Sequence, residues 1–101
     1  MFNDTEMNIK ELHPVNKDVS AVSIFKGTGE GTIALQIKAG KELKEHVSKV
    51  PALLLCIDGE LVFENEKGLK ETLFPGDFIH IEAMVKHWVK GIDDSQLILI
   101  N

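Results

Sequence analysis

Two histidines, His46 and His87, are the residues of this chain best placed to do chemistry together. His46 lies six positions after Gly40, and His87 lies eleven after Gly76. Each glycine can open a β-type segment, so the spacing sets two imidazoles on short strands. Facing imidazoles can ligate a transition metal through their nitrogen lone pairs, or take up and return a proton near pH 7. A tight site for a divalent first-row metal ordinarily takes three or more protein donors, so the pair alone is an incomplete centre.

The elements that must position these residues are strands. Helical periodicity is confined to Thr5–His13, which Pro14 would stop. The remainder alternates with a period of two between glycine-rich turns. Strands are expected over 19–26, 32–38, 45–48, 52–57, 60–64, 69–74, 78–82, 87–90 and 96–100. Gly27-Thr28-Gly29-Glu30-Gly31, Asn65-Glu66-Lys67-Gly68, Pro75-Gly76-Asp77 and Asp93-Asp94-Ser95 read as turns, and the charged run Lys41–Glu45 as a solvated loop. Short strands at this spacing indicate an all-β sandwich or closed barrel with little or no helix. Residues 1–101 form one domain, with 1–18 an N-terminal segment and 19–101 the barrel.

Asp58-Gly59 has the composition of a two-residue hairpin turn. That pairing would set Cys56 opposite Leu61 and Leu54 opposite Phe63, placing Ala52, Leu54, Cys56, Leu61 and Phe63 on one face. Leu53, Leu55, Ile57 and Val62 would share the other. Both faces are apolar, whereas an antiparallel strand with one wet side alternates more cleanly. The second face therefore needs a cover: the N-terminal segment, another sheet or a second subunit. We expect a homodimer through Leu53, Leu55, Ile57 and Val62.

Composition narrows the function classes. Of the 101 residues, 44% are hydrophobic and 27% charged, with a net charge of −5. An acidic chain without a basic stripe is a poor partner for nucleic acid or an anionic membrane. No apolar run approaches the roughly 20 residues of a membrane span. The first residues lack a basic start and an apolar signal core, and the single cysteine, Cys56, excludes an internal disulfide. We expect a cytoplasmic protein. The glycine cluster at 27–31 lacks the lysine and following helix of a phosphate loop, and no serine-centred nucleophile motif is present.

The glycine and histidine spacing resembles the cupin family of small double-stranded β-helix, or jelly-roll, proteins. Its first motif runs glycine, five residues, histidine, one residue, histidine, three or four residues, glutamate, six residues, glycine. Gly40, His46 and Gly59 match, whereas Ser48 replaces the second histidine and Ala52 the glutamate. The second motif runs glycine, five residues, proline, one residue, glycine, two residues, histidine, three residues, asparagine. Gly76 and His87 match, whereas Glu82 replaces the proline, Met84 the glycine and Gly91 the asparagine. The resemblance covers about residues 32–90 and implies a jelly-roll barrel of two antiparallel sheets. The family's metal is normally held by three histidines and a glutamate, and this chain keeps two of those four positions.

The reading that follows is a cupin-like protein that binds a small molecule in its barrel without a tightly held metal. Leu54, Cys56, Phe63, Ile79, Ile81 and Val89 would line the pocket, with His46, His87 and Ser48 as its polar groups. Two alternatives stay open. One is a metal-dependent enzyme of oxygenase or isomerase type, holding Fe, Mn, Ni or Zn through His46 and His87. The other is a non-catalytic dimeric structural or regulatory domain. Cys56 reads as a small buried hydrophobe rather than a nucleophile. His80, between Ile79 and Ile81, and Trp88, beside His87, have outward parity. Met84, in the loop before His87, would narrow the mouth.

Overall fold

The computed structural model describes residues 7–27 and 31–101. The described residues form nine strands, β1 (Val19–Phe25), β2 (Thr32–Ile37), β3 (Glu42–His46), β4 (Ala52–Asp58), β5 (Leu61–Asn65), β6 (Lys70–Leu73), β7 (Phe78–Ile81), β8 (His87–Gly91) and β9 (Ser95–Ile100). They make a five-stranded sheet of order β1-β2-β9-β4-β7 and a four-stranded sheet of order β3-β8-β5-β6. Every pairing is antiparallel. The two sheets close on one core that includes Leu35, Ile37, Leu54, Cys56, Leu61 and Phe63, all 5% exposed or less. This is the all-β jelly roll the strand pattern implies.

Helix is confined, among the described residues, to one 3-10 turn at Ile9–Glu11. Asn8 caps it, its side-chain oxygen accepting the Lys10 amide at 2.9 Å. The turn buries none of its residues, so no packing extends it toward His13. Thr5 and Glu6 of the expected helix, and Thr28–Glu30 of the glycine-rich turn, lie outside the described residues.

The Asp58-Gly59 turn does not make a hairpin. β4 is paired on both sides, with β7 and β9, while β5 is paired with β6 and β8. Neither strand has a free edge for the other, so the turn carries the chain from one sheet to the facing one. The inward set survives this correction, because the inner faces of the two sheets meet in the same core. Cys56 and Leu61 are both fully buried. The outward set does not survive. Leu53, Leu55 and Ile57 lie outside the five-stranded sheet, whereas Val62 lies outside the four-stranded sheet, across the molecule from them.

Gly59 owes its identity to this crossing. Its φ is +91°, and a Cβ there would overlap the Asp94 carbonyl and approach the Ser95 hydroxyl to 2.6 Å. The run Lys41–Glu45 is likewise not a loop. From Glu42 it forms β3, an edge strand whose Leu43 packs on the core while its charged neighbours face water.

The N-terminal segment crosses the outer face of the five-stranded sheet. Lys10 pairs with Asp58 on β4 at 2.8 Å, and the His13 Nδ1 bonds the Ser20 hydroxyl on β1 at 2.8 Å. Asp58, Gln96, Gln36 and Ser20 are successive cross-strand neighbours, and the Gln96 amide donates to the Gln36 carbonyl oxygen at 2.8 Å. The segment thus follows a polar row. The apolar row beside it, where Leu53 faces Ile100 and Leu55 faces Ile98, is left half-buried or exposed.

Candidate functional site: a paired histidine at the barrel rim

β3 and β8 bring the two histidines together. His46 and His87 are cross-strand partners, with ring centroids 4.1 Å apart in an edge-to-face arrangement. The pairing depends on an irregularity. Leu43 pairs with Val89 and His46 with His87, so three residues of β3 span two of β8. Strict alternation would turn Leu43 and His46 to opposite faces. The extra residue of the bulge returns His46 to the side of Leu43, a common use of bulges beside functional sites.

Each ring is held by its own strand. The His46 Nδ1–H donates to the Lys44 carbonyl at 2.9 Å, and the His87 Nδ1–H donates to the Val85 carbonyl at 3.2 Å. A carbonyl oxygen has no proton to give, so in both rings Nδ1 carries the hydrogen. In the neutral form Nε2 then holds the free lone pair. His87 is 3% exposed and stacks on Phe63 with centroids 5.6 Å apart. Burial pushes its pKa below the ordinary histidine value of 6.5; the Val85 carbonyl opposes that shift and the neighbouring His46 adds to it. His87 is therefore neutral at pH 7.

The pair does not fit the metal that the cupin resemblance implies. Its tautomers suit ligation, since a metal-bound histidine commonly donates its other N–H to a carbonyl. The donor set falls short. The Ser48 hydroxyl is spent on the Val50 carbonyl at 2.6 Å, and Ala52 has no donor atom. Among the described residues no group of three or more His, Cys, Asp or Glu side chains is placed to hold an ion.

The remaining residues expected around the pair divide. Leu54, Cys56, Phe63 and Val89 are at most 1% exposed and Ile81 is 4% exposed, all packed in the core. They form a filled floor rather than the wall of an open pocket. A cavity of about 570 Å³ lies elsewhere, between β6 and β7, and Ile79 is the one residue of the expected pocket that lines it. The sulfur of Cys56 contacts the Asp58 carbonyl at 3.6 Å, and burial raises its thiol pKa, as befits an inert core residue. His80 is exposed and packs edge-on against Phe78. Trp88 faces outward and donates to the Glu64 carboxylate at 3.2 Å.

Two features escaped the sequence reading. The bulge in β3 leaves no mark in residue type, beyond the odd spacing of Leu43 and His46. Met84 is the second: it keeps the left-handed backbone of the glycine it replaces, with φ +64°, and donates its amide to the Ser48 carbonyl at 2.8 Å. The loop before His87 is thereby tied to the segment after His46.

No family model matches the chain, and no curated protein sequence does either. Solved structures do. A conserved protein of unknown function from Streptococcus pyogenes superposes with a TM-score of 0.78 at 13% identity, over 99% of this chain and 88% of the other. A cupin superfamily protein from Desulfitobacterium hafniense gives 0.78 at 17%, over 92% and 84%. The cupin domain of Drosophila melanogaster CENP-C gives 0.67 at 20%, over 82% and 74%. The chain has the cupin fold.

Proposed function

We propose that this cupin-fold protein binds a small molecule at the His46–His87 rim, without a tightly held metal. The anchoring of both Nδ1 atoms to backbone carbonyls carries the reading, because it leaves two Nε2 atoms as the acceptors of the site. Such a site suits a ligand bearing hydroxyl or amide donors. The filled floor beneath favours contact at the mouth over deep burial. Histidine-selective ¹⁵N spectra recorded against a set of polyols and hydroxy acids test the proposal. Expected is a shift of both Nε2 resonances with at least one compound; spectra unmoved by the whole set would defeat it.

The metal-dependent alternative draws on the same Nδ1 anchoring and requires further ligands from outside the described residues. The uncovered row of Leu53, Leu55, Ile98 and Ile100 favours a homodimer through the outer face of the five-stranded sheet, a role that would also serve a structural or regulatory domain. The cytoplasm is the proposed compartment, in keeping with a single unpaired thiol. No helix among the described residues is long and apolar enough to cross a membrane.

A further inference from the structure

The cavity of about 570 Å³ sits where the two sheets fail to close. β6 is the last strand of one sheet and β7 the last strand of the other, and among the described residues each pairs on one side only. Along the free side of each strand, alternate residues direct N–H and C=O groups at no partner strand. The volume falls within the roughly 300–1,000 Å³ of ordinary ligand sites. The two edges that border it are four residues long apiece.

Three large apolar side chains stand exposed in the segments around this seam: Leu69 at 38%, Phe74 at 51% and Phe78 at 57%. Among the described residues that line the seam, Glu71 and Asp77 carry the charge; Lys70, next to Glu71 on β6, is the cross-strand partner of Glu64 and takes the outward side. Glu71 is the cross-strand partner of the inward-facing Phe63, so it shares the inward parity of that residue on an edge strand. An inward charge on an edge deters pairing between copies of the same edge. In a chain of net charge −5 it deters this chain's own second copy most, and leaves the seam open to a basic one.

We propose that the β6–β7 seam binds an extended segment of a partner protein, one that alternates apolar residues with lysine or arginine. The segment would add its main chain to the free edge of β7, seat its apolar side chains beside Phe78, which shares the outward side of Leu55, and direct its cations inward toward Glu71. Strand addition of this kind takes affinity from backbone hydrogen bonds and specificity from alternate side chains. The site is separate from the His46–His87 rim and does not depend on its reading.

The test is titration of the ¹⁵N-labelled protein with an alternating valine–lysine octapeptide. Two control peptides accompany it: an alternating valine–glutamate octapeptide, and the valine–lysine peptide N-methylated at alternate residues. The expected result is saturable shifts of amides in 69–73 and 76–79, weakened about tenfold or more by N-methylation and by Glu71→Lys. Phe78→Glu, at an exposed position, should weaken binding similarly while the spectrum stays dispersed. No shift at about 1 mM peptide overturns the proposal. So do equal responses to the lysine and glutamate peptides, shifts confined to Leu53, Leu55, Ile98 and Ile100, or undiminished binding by the N-methylated peptide.

Discussion

At the scale of single residues, the site is decided by which atoms are already engaged. His46 and His87 each spend Nδ1 on a carbonyl two residues earlier in the chain. The sequence made the pair legible through its spacing to glycines, but not the tautomers, which depend on bulge and loop geometry. Titration follows from burial. His87 and His13 both have pKa values pushed below 6.5 by desolvation. Between those lowered values and 6.5 the unfolded chain binds protons that the folded chain does not, so stability falls as the pH drops through that window. Urea unfolding is expected at a lower midpoint near pH 5.5 than near pH 7.5, with a smaller difference in His87→Gln. An unchanged midpoint in the parent would refute the burial argument. Met84 gives a second prediction. A left-handed backbone costs a non-glycine residue about 1–2 kcal/mol, and more when the side chain is β-branched. Met84→Gly should therefore be neutral or mildly stabilising, and Met84→Val destabilising by about 1–2 kcal/mol, as read from denaturation midpoints.

At the scale of elements, nearly every strand was legible, because period-two alternation and turn residues are local signals. Pairing was not. Asp58-Gly59 satisfies the chemistry of a hairpin, yet β4 is claimed on both edges by β7 and β9, which lie far along the chain. Local turn composition cannot report that competition. The two glycines at the sheet crossings make the arrangement testable. A Cβ at Gly91 would lie 2.6 Å from the Lys38 carbonyl oxygen, where β8 is stitched to the β2–β3 connection through bonds to Gly40 and Lys41. At Gly59 a side chain would meet both a positive φ and the Asp94–Ser95 backbone. Overpacking and backbone strain each cost about 1–3 kcal/mol, so Gly59→Ala should lose about 2–4 kcal/mol and Gly91→Ala about 1–3 kcal/mol. The hairpin reading expects the tolerance of an exposed turn at Gly59, and urea denaturation of the two variants separates the accounts.

At the scale of the whole molecule, the jelly roll was legible from strand count and spacing, and the solved cupin structures share it at 17–20% identity. The outer surfaces were legible only in part, since Val62 parts from Leu53, Leu55 and Ile57 once the strands are assigned to their sheets. If the apolar row beside the N-terminal segment pairs two subunits, light scattering at micromolar concentration should give a dimer, and Leu55→Lys should give a folded monomer. A parent protein that is monomeric would remove the dimer. The central claim is that a cupin barrel keeps a histidine pair without the ligands for a metal. Elemental analysis of protein purified without a histidine tag tests it most directly. The account expects Fe, Mn, Ni and Zn together far below one per chain. Near-stoichiometric metal, lost in the His46→Ala, His87→Ala double variant, would contradict it.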